Sequence, residues 1–255
     1  DTKAISDGKS VDKLIYAIVT TEGEVVGRSE KVLDKSFSSS LELTMTVTMV
    51  KGITYKAVFW AQSSKCEAYT FSDDLVLTVD YNGLSNDEDR DAFYGISTPF
   101  TVSESSAEAV LKRPFAQLNA GTFPFDWEYA TGFHEFDVVK SAVRINDVAN
   151  TLNLWDGTVN YNGENTPAET IFALANIPSD ETFPVSGYDY LAMNYILVGN
   201  TQELVDVEFG LEDGVTERKI GSVPVRRNYR TNIYGSLLTS TTDFNIEIIP
   251  NYEQP

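Results

Sequence analysis

Apolar and polar residues alternate with a period of two along most of this chain. Leu41, Leu43, Met45, Val47 and Met49 alternate with Glu42, Thr44, Thr46 and Thr48. Val205, Val207 and Phe209 alternate with Asp206 and Glu208 in the same way. This spacing predicts strands with one dry and one wet face. Residues 14–19, 55–61 and 75–79 are denser apolar runs and predict central strands. In the second of these, Phe59 is expected in the core and Trp60 on the opposite face. Further strands are expected over residues 115–119, 136–145, 170–175, 190–198, 220–225, 229–238 and 244–249. Glu22-Gly23, Asn82-Gly83, Asp156-Gly157, Asn162-Gly163 and Asp213-Gly214 supply turn chemistry between runs. Helical periodicity is scarce, with short helical turns expected only at residues 86–94 and 104–110. About a dozen short strands with regular turns predict an all-β chain of sandwich architecture.

The Asn/Gly/Thr-rich stretch 147–169 is the best candidate boundary, dividing the chain into domains 1–155 and 156–255. Residues 121–131 are the rival position. The chain has 255 residues, of which 42% are hydrophobic, enough for a packed core in each part. Its net charge of −19 repels nucleic acid and anionic headgroups, which excludes both as partners. The single cysteine, Cys66, cannot form an intramolecular disulfide and lies in a polar stretch that reads as a loop. No run approaches the ~20 apolar residues of a membrane span, and none reads as a signal peptide.

Catalytic chemistry is hard to assemble from these residues. One histidine, His134, and one distant cysteine supply neither a common zinc ligand set nor a nucleophile–base pair. No nucleophile elbow, dinucleotide fingerprint or phosphate-cradling loop occurs. Asn86-Asp-Glu-Asp-Arg-Asp is the densest acidic cluster, but an EF-hand would need Gly and Glu where Ala92 and Thr98 stand. It reads as a solvated loop, with a weak, irregular calcium site as the alternative. A carboxylate pair for glycoside hydrolysis cannot be picked out from the acidic surface. Phe59, Trp60, Trp127 and Trp155 are the aromatic residues available for a sugar platform. No catalytic residue, cofactor or metal is assigned, and the protein is read as a non-enzyme.

Two terminal segments carry interaction chemistry instead. Over residues 243–249, Phe244, Ile246 and Ile248 share one face while Asn245 and Glu247 face water. Such a strand can complete a neighbour's sheet. At the other end, Lys3 and Lys9 flank Ile5-Ser-Asp-Gly in polar sequence, the kind of exposed tip that a trypsin-like protease reaches.

The order of segments resembles fimbrillin-like pilins of the Bacteroidetes. The resemblance rests on Ile5-Ser-Asp-Gly, Lys13-Leu-Ile-Tyr-Ala-Ile, Phe59-Trp-Ala-Gln, Arg90-Asp-Ala-Phe-Tyr-Gly and Arg113-Pro-Phe-Ala-Gln-Leu-Asn. Tyr188-Asp-Tyr-Leu-Ala-Met-Asn-Tyr, Val205-Asp-Val-Glu-Phe and Arg227-Asn-Tyr-Arg-Thr-Asn-Ile-Tyr-Gly follow in the family's order. It implies two tandem transthyretin-like Greek-key β-sandwich domains in a structural or adhesive subunit of a cell-surface pilus. It also implies export as a lipoprotein precursor to the outer membrane, proteolytic trimming, and assembly by strand donation between pilin subunits. Partners would be other pilin subunits and a host or bacterial surface receptor. The alternative reading is a surface glycan-binding β-sandwich protein.

Overall fold

β1 (Lys13–Thr20) and β3 (Thr54–Gln62) lie side by side and antiparallel, with Ile15, Ala17, Val19, Val58 and Trp60 turned into the main core. A computed structural model describes residues 7–33, 42–83, 86–103, 107–132, 140–146, 148–161, 169–171, 175–176, 182–211, 217–240 and 242–250. In chain order, β2 (Val25–Val32), β4 (Tyr69–Phe71), β5 (Val76–Val79), β6 (Phe93–Ile96) and β7 (Phe100–Thr101) complete the first part. β8 (Phe115–Thr122), helix α1 (Pro124–Thr131), β9 (Lys140–Asn146), β10 (Thr151–Asn153) and β11 (Val159–Asn160) follow. Next come β12 (Glu169–Ile171), β13 (Ala175–Asn176), β14 (Asp189–Leu197) and β15 (Glu203–Leu211). β16 (Glu217–Val225), β17 (Tyr229–Gly235) and β18 (Phe244–Pro250) close the described chain.

These strands form four sheets among the described residues. Sheet 1 runs β2-β1-β3-β6 with β7 also on β3, and sheet 2 runs β11-β10-β5-β4. Sheet 3 runs β14-β8-β17-β18, and sheet 4 runs β12-β9-β15-β16 with β13 also on β9. The pairings are antiparallel except β8 with β17, which is parallel. The fold is an all-β sandwich, as the alternation predicts. Sheets 1 and 2 bring Val58, Trp60, Leu77 and Leu152 together, and sheets 3 and 4 bring Leu118, Ile233, Val207 and Val223 together. Both sets belong to one continuous core. Trp60 sits at the junction, edge-on to Tyr69 and Phe71 of sheet 2 and to Phe115 of sheet 3.

Several expectations are corrected. Residues 42–50 enter no sheet among the described residues, although their alternate side chains do turn toward an apolar face. Trp60, fully buried, is the core residue, and Phe59 is the partly buried one on the outer face. Sheet 1 is apolar on both sides, so alternation alone could not orient it. Cys66 is buried rather than in a wet loop. A division at 155/156 separates strands that ladders join: β10 pairs with both β5 and β11, while β8 and β9 pair with β14 and β15. Helix α1 was not legible, and residues 107–110 form no helix.

Candidate assembly interface

The β17–β18 hairpin places the predicted donor residues. Its turn is closed by Ser236, whose N–H donates to the Asp243 carbonyl at 2.9 Å and whose hydroxyl donates to the Asp243 carboxylate at 2.8 Å. The turn is tied down by Asp126 of α1, only 3% exposed. Its carboxylate accepts from the Leu238 N–H at 2.9 Å and from the hydroxyls of Thr122 and Thr239. β18 then runs antiparallel to β17, from Phe244 opposite Gly235 to Pro250 opposite Tyr229. Its other edge has no ladder partner among the described residues. Phe244, Ile246 and Ile248 stand opposite Gly235, Ile233 and Thr231 on one face. Phe244 and Ile246 pack on the main core, and Ile248 is half-buried. Asn245 and Glu247 are exposed.

Of the two candidate processing lysines, Lys3 lies outside the described residues. Lys9 is exposed, with its ammonium 3.0 Å from the Asp7 carboxylate and its backbone N–H donating to the same carboxylate at 2.9 Å. Ser10 next to it donates to the Glu88 carbonyl at 3.0 Å. Among the described residues β18 is held by β17 and the Lys9–Ser10 segment by Asp7 and Glu88, so no contact joins the two.

The acidic cluster is a bracket between sheets rather than a solvated loop. Asp87 caps the 3-10 turn Glu88–Arg90 by accepting from the Asp89 N–H. Asp89 accepts from the Ser63 hydroxyl at 2.8 Å, and Glu88 from the Tyr195 hydroxyl at 3.0 Å. Asn86 donates its N–H to the Met193 carbonyl and accepts the Met193 N–H on its side-chain oxygen. Tyr81 likewise accepts the Leu197 N–H. These contacts close the outer edge of β14, which would otherwise expose unpaired backbone. Asp91 and Arg113 form a buried two-pronged ion pair, with bonds of 2.6 and 2.8 Å. Burial raises the Asp91 carboxyl above its ordinary value, against the pull of Arg113.

No reactive constellation gathers around these groups. Burial pushes the Cys66 thiol up to about 11, which keeps it an unreactive thiol at neutral pH. His134 lies outside the described residues. Among the described residues no group of three or more His, Cys, Asp and Glu side chains could hold a metal ion. Phe59, Trp60, Trp127 and Trp155, the aromatic residues available for a sugar platform, do not form one: Trp60 is buried, Trp127 and Trp155 pack on the main core, and Phe59 packs on the outer face of sheet 1. Trp155 is also covered by Lys56, 5.0 Å over its ring. The most exposed aromatics among the described residues are instead Phe125 (73%) and Tyr129 (55%) on α1, with ring centroids 6.4 Å apart and planes 30° apart. Their spacing of four on a helix was the available sequence signal, hidden because no helix was predicted.

Residues 2–255 match the family of unknown function DUF6562. The chain belongs to DUF6562. No curated protein matches it. Among solved structures, this DUF6562 chain is similar to a candidate polysaccharide-binding protein of Bacteroides thetaiotaomicron, with TM-score 0.56 and 11% identity over 96% of this chain and 92% of that one. A candidate adhesin of the same bacterium has TM-score 0.52 and 12% identity, over 97% and 92%. The fimbrial anchor protein Mfa2 of Porphyromonas gingivalis has TM-score 0.52 and 11% identity, over 96% and 92%. The DUF6562 chain thus shares, over nearly its whole length, a fold found in Bacteroidetes fimbrial and adhesin proteins.

Proposed function

We propose that this chain is a structural or adhesive subunit of a cell-surface pilus, with two sandwiches in tandem, sheets 1 and 2 in one and sheets 3 and 4 in the other. Subunits join by strand donation, and β18 is the donated strand. One observation carries this reading: among the described residues β18 is an edge strand with a single ladder neighbour, and its apolar face is only half-buried. It can leave by breaking one set of backbone bonds, and its alternation suits any groove with one dry face. Burying Phe244, Ile246 and Ile248 contributes gross ~5–9 kcal/mol at ~1.5–3 kcal/mol each. Part of that is already gained at home, so the acceptor has to be the deeper groove. The fold shared with a fimbrial anchor protein supports the same reading. Export through a lipoprotein precursor, trimming near Lys3 and Lys9, and a surface receptor belong to this proposal; no catalytic step does.

A disulfide lock tests it. Tyr234, partly buried against Tyr188, and exposed Asn245 are cross-strand partners in the hairpin. A Tyr234→Cys/Asn245→Cys variant, once oxidised, keeps β18 in its own sheet. Donation predicts that the oxidised variant is absent from fibres seen by electron microscopy and that reduction restores entry. Equal assembly in both states would remove β18 as the donor.

A second reading, glycan binding, is favoured by the exposed Phe125–Tyr129 pair, because flat aromatic faces stack on neutral sugar rings without any countercharge. A glycan array probed with the wild type and with Phe125→Ala/Tyr129→Ala decides it: signal lost in the variant supports the site, and no wild-type signal ends it.

A further inference from the structure

Residues 42–50 form a strap across the outer face of sheet 1. The strap enters no ladder among the described residues, and its alternate side chains, Met45, Val47 and Met49, are the partly buried ones that fix its place. Met45 packs on the cluster of Val11, Leu14, Leu33 and Ala61. Val47 and Met49 pack on Ile18, Tyr55 and Ala57. Toward its ends the strap is more exposed, with Leu43 36% and Val50 61% exposed. The chain has three methionines, and two of them are these. Each is only partly buried, whereas the third, Met193, is 2% exposed in the main core.

We propose that Met45 and Met49 are an oxidative modification site that controls whether the strap covers sheet 1. The oxidant is of the peroxide class. A sulfur lone pair attacks one peroxide oxygen, the O–O bond breaks, and the sulfur–oxygen bond of a sulfoxide forms. Proton transfer to the departing oxygen releases one water per sulfur; each thioether loses two electrons and the peroxide gains them. The product is a polar, chiral side chain in place of a flexible apolar one. Two of the three side chains holding the strap then prefer water, and no backbone ladder remains to keep it seated. Release uncovers Leu14, Ile18, Tyr55 and Ala57, a contiguous apolar face on an otherwise strongly acidic protein. Buried core methionine is protected by access alone, so the response is confined to the strap.

The experiment treats the folded protein with dilute hydrogen peroxide, maps each methionine by mass spectrometry, and follows binding of an apolar-surface dye. Met45 and Met49 are expected to oxidise at least about tenfold faster than Met193, with dye fluorescence rising severalfold in step and far-ultraviolet dichroism unchanged. A Met45→Leu/Met49→Leu variant keeps the packing volume without the sulfur and is expected to stay dark under the same treatment. Methionine sulfoxide reductases are expected to return the oxidised wild type to its starting fluorescence. The proposal is overturned if Met193 oxidises first, if fluorescence stays low with both strap methionines oxidised, or if the leucine variant brightens as much as the wild type.

Discussion

Gly235 and Phe244 face each other at the closed end of the β17–β18 hairpin, and a Cβ on Gly235 would stand 2.6 Å from the Phe244 Cα. It would lie closer still to the Asp243 carbonyl oxygen, and both obstacles are backbone. Gly235→Ala therefore has to push the two strands apart where the ladder begins. The expected cost is on the order of 2–3 kcal/mol. Amide exchange should accelerate across Phe244–Pro250, while β1 and β3 remain protected.

The Asp91–Arg113 pair makes a prediction with a sign. Arg113→Met leaves a buried carboxylate without its cation, and breaking such a pair costs about 3–5 kcal/mol at neutral pH. Burial already raises the Asp91 carboxyl, and losing Arg113 raises it further. A carboxyl raised on folding favours the folded state fully below its unfolded value. That contribution is lost as pH rises through the folded value. The variant should therefore melt higher at pH 5 than at pH 8, and adding Asp91→Asn should flatten this difference. Thermal melts of the two variants measure it.

Alkali should act through buried acids of the other kind. Burial raises the Cys66 thiol from 9.0 to about 11. It also raises the Tyr94 phenol from 10.0 to about 12. Both groups hold their protons more tightly when folded, so stability is complete below pH 9 and falls as pH climbs through that window. Melting temperature should be level to about pH 9 and decline above it. Cys66→Ala should make the first part of the decline shallower.

Lys9, with its side chain 73% exposed, is expected to be among the first bonds cut in limited trypsinolysis of the folded protein. Mass mapping of the early fragments checks this. Survival of Lys9 while Lys56 or Lys219 is cleaved would remove the segment as a processing site.

Much of the fold is legible: β15 and β18 fall where alternation predicts a strand with one dry face, and β1, β3 and β14, buried on both faces, fall where apolar runs predict strands. The failures have physical causes. β2 is exposed at all eight positions, so nothing in Val25–Val32 alternates; the β1 ladder makes it a strand. Residues 42–50 alternate well and enter no ladder among the described residues, because side-chain period reports which way residues face, not whether the backbone has a partner. Helix α1 starts on Pro124, has no side-chain cap, and carries apolar residues all round. The acidic run 86–91 looks like a wet loop in sequence because its partners, Ser63, Arg113 and Tyr195, are far along the chain. The candidate interface fared better at the C-terminal end: Phe244, Ile246 and Ile248 share a face as predicted. Asp126, which anchors the turn before them, could not be read as its anchor from sequence, since besides nearby Thr122 its donors Leu238 and Thr239 lie over a hundred residues away.

Trp60 also bears on how such a subunit would carry tension. Its indole touches rings from two other sheets, and Tyr81 and Asn86 reach from beside sheet 2 to the backbone of β14. A pull that separates sheets 1 and 2 from sheet 3 therefore loads the Trp60 ring contacts and the Tyr81 and Asn86 hydrogen bonds together, while a pull on β18 alone loads only its ladder with β17 and breaks it one rung at a time.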